Sequence, residues 1–495
     1  MEIILIKILQ FILAISLLIF IHELGHFGFA RLFRVRVDKF YMFFNPSFSI
    51  FRFKKINGKY QFKWFAKNDP DHVMQATDEN GELRTDKKGN PIMVPAPIEE
   101  LADDDWRKYP ETTEWGLGWL PLGGYCKIAG MIDESMDTSL MNVDPQPWEY
   151  RAQKAWKRML IIVGGVLMNL IGAIVIYAMM LFTWGQEYIP VSNAYMGYDY
   201  CSTALENGFV NGDRIISIDG VDIEQSREAL QKIVIEGKQN VLVQRGEEQV
   251  DINLPKDFGN QFLAAENQWF MVERFPFVVG EIMEGSLAER IRLEPGDSII
   301  GINGVYNSTF SYLRLRLDSL KNSTVILGFI RGNLIINKSF ILPEDGQLGV
   351  SIQDPTQFFE SKRTEYGFFQ SIPAGAKLGW KTLVNYVKQF RLVFSKEGAQ
   401  SLGGFIAIGN IFPSVWDWSV FWSLTAMLSI MLAFMNILPI PALDGGYLLM
   451  IIYEMITGRK PSDKFMEIAL NIGMFLLLAL LIFANGNDII KLFTK

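Results

Sequence analysis

The stretch His22-Glu23-Leu24-Gly25-His26 closes an apolar run over residues 3–21. On a helix, residues four apart lie on one face, so His22 and His26 can present imidazole nitrogens to one zinc ion with Glu23 beside them. The sequence contains three histidines, and two of them stand here. Because ionisable side chains cost about 2.5–3.5 kcal/mol each near the centre of a bilayer, this stretch predicts a metal site in a membrane helix.

Long apolar stretches divide the chain of 495 residues. Besides the first stretch, three others lack charge and reach the roughly 20 residues that a hydrocarbon core of about 30 Å requires. We therefore expect four transmembrane helices, within residues 1–30, 158–186, 418–437 and 467–487. A signal peptide is the alternative for the first, but it has no small-residue cleavage site and carries the metal motif, so we expect it to stay attached.

Lysine and arginine residues near the helix ends predict the orientation in the membrane. They cluster after the first apolar stretch, before the second and between the third and fourth, at Arg31, Arg34, Arg36, Lys39, Arg151, Lys154, Lys157, Arg158, Arg459, Lys460 and Lys464. Positive charge marks cytoplasmic loops, so the segment after the second helix is expected outside and the histidine pair near the cytoplasmic face. The net charge of −7, without a basic domain, argues against nucleic acid as a partner.

The region 31–157 is expected to be cytoplasmic and contains two kinds of sequence. Residues 35–65 are aromatic and alternating, which predicts a strand pair that turns at Asn57-Gly58 in a sheet touching the membrane. Residues 67–114 are polar and acidic with turn signals, which predicts a solvated insertion. His72 lies in this insertion among aspartates, and we expect a surface residue rather than part of a second metal site.

A glycine-rich apolar stretch precedes the second membrane helix. Its sequence over residues 120–128 is LPLGGYCKI, with Gly123, Gly124 and Tyr125 at its centre. Glycine in a flat edge strand lets another backbone approach closely, so an extended substrate could pair with this edge. A plain structural turn is the alternative, and the residues alone leave both open.

An internal repeat occupies the segment after the second helix. Residues 212–221 (GDRIISIDGV) match residues 296–305 (GDSIIGINGV), and Ser202 and Ala204 align in the same register with Ser286 and Ala288. Each string predicts a strand with a tight Asx-Gly turn and is similar to the core of PDZ domains. We expect PDZ-like α/β domains at 188–255 and 270–343, which either capture peptide ends by strand addition or only obstruct and position.

Residues 367–400 form a predicted amphipathic helix region. Leu383, Val387, Phe390 and Phe394 share one helical face, and Lys377, Lys381 and Lys388 share another. This pattern predicts a helix that lies against membrane or protein.

The third ligand of a catalytic zinc site must come from elsewhere in the chain, since such sites use three protein ligands. Asp444 ends a long charge-free run at the predicted cytoplasmic end of the third helix, where a carboxylate needs a partner. Pro439 and Pro441 break the helix there, and irregular backbone at membrane depth is tolerated against protein or a water-filled cavity. Asp444 is therefore expected to reach the face that carries His22 and His26.

Four features together resemble the site-2 protease family of intramembrane zinc metalloproteases, and in particular its bacterial sigma-E regulator proteases. They are H-E-x-x-H in the first helix, P-L-G-G-Y before the second, the tandem PDZ-like repeat, and N-x-x-P-x-P-x-L-D-G from Asn436. The resemblance implies Zn²⁺ held by His22, His26 and Asp444, Glu23 as general base, and Asn436 near the scissile bond. We therefore include Asn436, Pro439 and Pro441 among the expected substrate-binding residues. Val166 stands where the family usually has proline, so the local helix shape is a point of departure.

The expected fold is a polytopic α-helical membrane protein with two PDZ-like domains between helices two and three and a membrane-associated β region after helix one. The resemblance implies a bacterial inner-membrane enzyme that cleaves single-span proteins, such as an anti-sigma factor or a remnant signal peptide, after a site-1 protease. A transporter is a weaker alternative, because the four helices show no repeated half. A non-catalytic PDZ scaffold is another, but it has no use for Glu23.

Overall fold

A computed structural model describes residues 2–69, 73–75, 93–95, 101–121, 123–131, 145–265, 269–395, 398–399 and 403–494. The chain divides into two compact units. The first comprises residues 1–184, 366–387 and 403–495, and the second comprises residues 185–365 and 388–402. His72, Leu122 and most of the predicted insertion 67–114 lie outside the described residues.

The first unit opens with a long helix, a set of strands and a second long helix. These elements are α1 (Glu2–Leu32), β1 (Val37–Met42), β2 (Phe48–Ile56), β3 (Lys59–Lys67), β4 (Val73–Gln75), β5 (Met93–Pro95), β6 (Glu114–Leu117), β7 (Tyr125–Ile128) and α2 (Ala155–Thr183). The main sheet has the order β3-β2-β6-β1-β7, with β1 and β6 parallel and the other neighbours antiparallel. Asn57 and Gly58, both with positive φ, turn β2 into β3, as the alternating sequence predicts.

One face of this sheet buries a charged cluster. Arg52 donates to Glu114 at 3.3 Å, and the hydroxyl of Tyr41 donates to the same carboxylate at 2.5 Å. Burial and the neighbouring Glu114 raise the pKa of Tyr41 well above its usual range, so the phenol stays protonated and can donate. Trp106 covers this face, with the Arg52 guanidinium 5.2 Å from its ring. The cluster joins β1, β2 and β6.

The opposite face of the sheet is aromatic and continues from α1 toward the sheet edge. Phe27 of α1 contacts Trp115 with 4.9 Å between ring centroids, and Trp115 stacks on Phe53 at 6.4 Å. Farther out, Phe51 meets Trp64 at 4.4 Å. The rings on β3 are largely exposed, with 66% of Trp64 accessible. A row of exposed aromatic rings beside an apolar helix is typical of a membrane interface.

The second unit contains two successive α/β copies. The first has β8 (Gln186–Tyr188), β9 (Tyr198–Tyr200), α3 (Ser202–Glu206), β10 (Arg214–Ile218), β11 (Val221–Asp222), α4 (Ser226–Leu230), β12 (Asn240–Arg245), β13 (Glu248–Asn253), α5 (Phe258–Ala264) and β14 (Met271–Glu273). The second has β15 (Phe277–Ile282), α6 (Leu287–Arg290), β16 (Ser298–Ile302), β17 (Val305–Tyr306), α7 (Phe310–Ser319), β18 (Thr324–Arg331), β19 (Leu334–Ile341), β20 (Val350–Ile352) and β21 (Lys362–Thr364).

The strand order shows how the repeat folds. The first copy contains a sheet β11-β10-β12-β13 and a separate pair of β9 with β14, and the second contains β19-β18-β16-β15-β20 with β17 beside β16. Asp219 and Asn303 occupy equivalent turns, each with positive φ and followed by a glycine of positive φ. Each side chain accepts a hydrogen bond from a backbone N–H of a neighbouring strand, at 3.0 Å from Asn240 of β12 and 2.8 Å from Ile326 of β18. The Asx-Gly turns therefore lie at the positions that the sequence repeat predicts.

Each copy has its own hydrophobic core, and these cores extend beyond the predicted bounds of 188–255 and 270–343. The first core runs from Val191 to Met271, and within it Phe270 packs onto Phe258 of α5. The second core runs from Phe277 to Leu348. The repeat string marks only the centre of each copy, whereas these flanking segments lie outside the repeated residues.

The first unit closes with five helices. They are α8 (Phe368–Phe390), α9 (Phe405–Ile411), α10 (Trp418–Ile437), α11 (Asp444–Thr457) and α12 (Asp463–Thr494). Four helices of the described chain are long and apolar enough to cross a membrane, over residues Ile3–Leu32, Ala155–Thr183, Trp418–Ile437 and Lys464–Lys491. All four predicted spans are thus present, with ends displaced by a few residues.

Helix α8 packs against α2 through small residues, and Leu383 of the predicted apolar face packs onto the same core. Ser371, Gly375 and Gly379 are its buried residues, and a methyl group on Gly375 would lie 2.6 Å from the backbone nitrogen of Ala178 in α2. Val387 and Phe394, from the predicted apolar face, are exposed. Small residues four apart let two helix backbones approach, which a hydrophobicity pattern does not register.

Equivalent buried ion pairs stabilise the two copies in the second unit. Arg245 donates to Asp213 through two nitrogens at 2.9 and 2.8 Å, and Arg331 donates to Asp297 at 2.8 and 2.7 Å. Both aspartate side chains are 1% exposed. Removing the arginine leaves a buried carboxylate without its charged partner.

We predict that Arg245→Met lowers the free energy of unfolding of the second unit by roughly 2–4 kcal/mol, the cost of stranding a buried charge. Pulse proteolysis of the purified protein in urea measures this. Lys321→Met is the matched control, because its ion pair with Asp318 is exposed and such pairs contribute at most about 1 kcal/mol. Equal effects of the two substitutions would contradict the prediction.

Candidate metal centre

Helices α1 and α2 cross with their backbones in contact at the histidine motif. A methyl group on Gly25 would lie 2.2 Å from the carbonyl oxygen of Gly164, and one on Gly164 would lie 2.8 Å from the carbonyl oxygen of Gly25. No side chain larger than hydrogen fits either position unless the helices separate. These two glycines therefore set the closest approach of the helices.

Gly165 keeps space open in front of the two imidazole rings. A methyl group there would lie 2.4 Å from Nε2 of His26 and 2.6 Å from Cε1 of His22. Both rings are buried, and they meet edge to face with 4.8 Å between centroids. Helix α2 continues through Val166 without a break, so the absence of the proline usual in the resembled family leaves it regular here.

Asp444 completes a compact triangle with the two histidines. Its Oδ2 atom lies 3.3 Å from Nε2 of His22 and 3.4 Å from Nε2 of His26. The two Nε2 atoms are 3.2 Å apart. The structure thus brings together three side chains that the sequence separates by almost the whole chain, and within the described residues they form a cluster that can hold a metal ion.

The triangle has the dimensions of three ligands around zinc. Two ligands at about 2.0–2.1 Å from a tetrahedral zinc are about 3.3 Å apart, which matches all three separations. Oδ2 of Asp444 is buried and, among the residues described, makes no hydrogen bond. A buried carboxylate oxygen facing two imidazole nitrogens is suited to a cation. The residues present therefore fit a zinc ion.

The outer nitrogen of each ring contacts α2. Nδ1 of His26 lies 2.9 Å from the carbonyl oxygen of Ile161, which can only accept, so this nitrogen carries the proton. Nε2 of His26 is then left with a lone pair for a metal. Nδ1 of His22 lies 3.2 Å from the carboxamide of Asn169, and Nε2 of His22 lies 3.3 Å from that of Asn436.

A short loop positions Asp444. Helix α10 ends at Ile437, and α11 begins at Asp444 itself. Methyl groups on Gly445 and Gly446 would lie 2.1 Å from the Leu438 carbonyl oxygen and 2.6 Å from the Ile440 carbonyl oxygen. The glycine pair therefore lets the loop close tightly onto the first turn of α11.

Backbone strain and an ion pair also hold this loop and helix. Ala442 has φ of 75°, a left-handed conformation that costs a residue with a Cβ roughly 1–2 kcal/mol. Arg158 of α2 forms a largely buried ion pair with Glu454 of α11 at 2.5 Å. Helix α11 is thereby attached to the helix that carries Gly165 and Asn169.

The other residues expected at the site occupy different surroundings. Glu23 is half-buried on α1 next to His22. Asn436 is half-buried and reaches His22, whereas Pro439 is exposed on the loop and Pro441 lies against Gly473 of α12. The two prolines thus shape the loop.

The predicted edge strand lies beside α1, close to the motif. A methyl group on Gly124 would lie 2.6 Å from Cγ2 of Ile19, which precedes His22 by about one turn, and one on Gly123 would lie 2.6 Å from the ring of Phe44. Tyr125 stacks on Tyr41 of β1 with 5.2 Å between centroids. Among the strands described, β7 is the last on its side of the sheet.

Sequence reasoning did not identify three features of the site. These are the open space at Gly165, the separate helix α11, and the contact of Asn169 with His22. Asn169 gave a detectable signal, because a carboxamide in an otherwise apolar membrane segment requires a partner. Gly165 and α11 gave no such signal in the sequence, because small residues and short apolar helices have the same composition as a membrane-spanning segment.

Comparison with known proteins agrees with this geometry. The sequence profile of Peptidase family M50 matches residues 10–66 and 105–480. A protein of Ralstonia nicotianae is 24% identical, with 98% of each chain covered, and one of Rickettsia conorii is 25% identical over 99% of each. A protein of Neisseria meningitidis serogroup A is 25% identical over 98% of this chain and 99% of its own.

All three relatives carry the name "putative zinc metalloprotease". The profile covers most of the chain, including the histidine motif and Asp444, and the four apolar helices indicate a multi-pass membrane protein. The chain belongs to Peptidase family M50, the site-2 protease family, and is an intramembrane metallopeptidase that uses zinc.

Proposed function

We propose that His22, His26 and Asp444 hold the catalytic zinc and that Glu23 is the general base for hydrolysis of peptide bonds in or near transmembrane segments. The observation that carries this proposal is the triangle of 3.2, 3.3 and 3.4 Å between the three ligand atoms. The ligand set leaves one position of a tetrahedral site open for water, as catalytic zinc sites require.

The chemistry divides between the metal and the chain. Bound zinc supplies a water that is acidic enough to attack at neutral pH and a positive charge opposite the developing oxyanion. Glu23 takes the proton from the attacking water and later delivers it to the leaving nitrogen. Asn436 reaches the same space as His22 and can donate a hydrogen bond to the substrate beside the scissile bond. Burial of the histidines limits access of bulk water.

A transmembrane substrate must be unwound, because a helix hides its peptide bonds in internal hydrogen bonds. Strand β7 is the last described strand on its side of the sheet, and the stretch 123–125 lies close to the turn of α1 that precedes His22. An unwound segment that pairs with this edge is extended next to the site. The exposed aromatic row on β3 supports a position of this sheet at the membrane surface.

The biological setting follows from the family resemblance and the charge distribution. We place the enzyme in a bacterial inner membrane with the metal site near the cytoplasmic face and residues 185–365 outside. Its substrates are single-span proteins, such as an anti-sigma factor or a remnant signal peptide, that a site-1 protease has shortened. The two α/β copies act as PDZ-like domains that exclude substrates with large outer domains.

Glu23→Gln is expected to reduce cleavage of a shortened single-span substrate by about 100- to 10,000-fold, since general-base catalysis contributes that much. Zinc content should remain at the wild-type level because the ligands are unchanged. Metal analysis and a reconstituted cleavage assay on the same preparation measure both. Wild-type cleavage by this variant would exclude Glu23 as the base.

Asp444→Ala is expected to lower the zinc content of the purified protein to below about a tenth of wild type after mild chelation, because one of three ligands is lost. Asp417→Ala is the matched control, since Asp417 only caps α10 and its loss should cost about 1 kcal/mol of stability without loss of zinc. If Asp444→Ala retains zinc, the third ligand is a different residue.

Replacing residues 189–361 by a short Gly-Ser linker is expected to permit cleavage of substrates that still carry their outer domain. The ends can be joined because β8 pairs with β21, with Tyr188 opposite Lys362. The measurement is the ratio of cleavage rates of two substrates in vesicles, identical except that one keeps its outer domain. The same deletion combined with Glu23→Gln gives the background. If the deletion protein still prefers the short substrate, the exclusion role is wrong.

A further inference from the structure

We infer that Asn169 is a positioning residue for zinc, whose side-chain oxygen accepts the Nδ1 proton of His22; the inference rests on the ligand set proposed above. Asn169 lies on α2 with its side chain fully buried. In the structure, Nδ2 of its carboxamide lies 3.2 Å from Nδ1 of His22, on the side of the ring away from Nε2. The contact therefore concerns the nitrogen that zinc does not use.

The protonation of the imidazole ring decides which amide atom faces it. A neutral imidazole carries one proton, and a ring that offers Nε2 to a metal carries it on Nδ1. That N–H requires an acceptor, because a buried donor without one costs about 1–3 kcal/mol. Oxygen and nitrogen of a carboxamide exchange by rotation about the Cβ–Cγ bond and are assigned from their partners. The oxygen of Asn169 is therefore the atom that meets Nδ1.

His26 provides an internal comparison for this arrangement. Its Nδ1 lies 2.9 Å from the backbone carbonyl oxygen of Ile161, which precedes Asn169 by about two turns of α2. Both histidines thus direct Nε2 toward Asp444 and Nδ1 toward an oxygen supplied by α2. For His26, a backbone carbonyl of α2 is the acceptor. For His22, which contacts α2 farther along the helix, the acceptor is the side chain of Asn169.

The surroundings of Asn169 restrict its movement. The hydroxyl of Ser429 in α10 donates to the backbone carbonyl of Asn169 at 2.7 Å, and Ser429 is fully buried. In the residues that the structure describes, Oδ1 of Asn169 makes no hydrogen bond, so rotating the carboxamide to bring Oδ1 to His22 breaks no bond of this oxygen. A fixed acceptor holds the ring in one orientation and raises the basicity of its ligating nitrogen.

The test compares zinc affinity among variants in the full-length Glu23→Gln protein, by competition with a chelator in detergent solution. Asn169→Leu keeps the volume but removes the acceptor, and we expect zinc to bind about 10- to 100-fold more weakly. Asn169→Asp can only accept, so it should restore affinity to within about threefold of the parent or exceed it. The rescue separates an acceptor from a residue that merely fills space.

Ser429→Ala is the matched control, because it removes a buried hydrogen bond to the same residue without touching the acceptor. We expect its zinc affinity to stay within about threefold of the parent. Undiminished affinity in Asn169→Leu, or equal weakening in Asn169→Leu and Asn169→Asp, would overturn the inference. If Asn169→Leu does not fold, Asn169→Asp alone decides: a zinc affinity more than about threefold below that of the parent would overturn the inference. Asp444→Ala in the same assay tests the ligand set separately.

Discussion

Contact between the backbones of α1 and α2 is the constraint on which the site depends. Gly25 and Gly164 permit an approach that any Cβ would prevent, and Gly165, one residue on, leaves room for the two imidazoles. Once the helices are this close, α2 can supply oxygen atoms to the outer nitrogens of both rings. The side-chain ridge that usually separates packed helices is absent, which leaves space for a metal ion at the helix interface.

The second half of the site reaches this interface by a strained and tightly packed loop. Ala442 adopts a left-handed conformation. The loop carbonyls lie so close to Gly445 and Gly446 that neither position has room for a side chain. Helix α11 then begins at Asp444 and is held to α2 by Arg158 and Glu454. Strain of this kind persists only where surrounding contacts overdetermine the backbone, and here those contacts aim a carboxylate at two histidines.

Sequence alone predicted which three side chains meet at the site better than it predicted their surroundings. The histidine motif and Asp444 are recognisable because polar groups in apolar segments carry a large cost, and the Asx-Gly turns are recognisable because their φ angles restrict the residue type. Helix α11 was not predicted, since its apolar residues continue the hydropathy of α10. The small residues through which α8 packs, Ser371, Gly375 and Gly379, were not predicted because they have little hydrophobicity. Contacts that depend on close approach become visible only when two helices are placed together.

The separation of the proposed ligands along the chain has a consequence for biosynthesis. His22 and His26 emerge from the ribosome at the start of translation, and Asp444 emerges only after the whole of residues 185–365 has been made. A nascent chain can therefore offer zinc at most two of the three ligands while its first two membrane helices are being inserted. With this ligand set, the metal site is completed only when almost the whole chain has been synthesised.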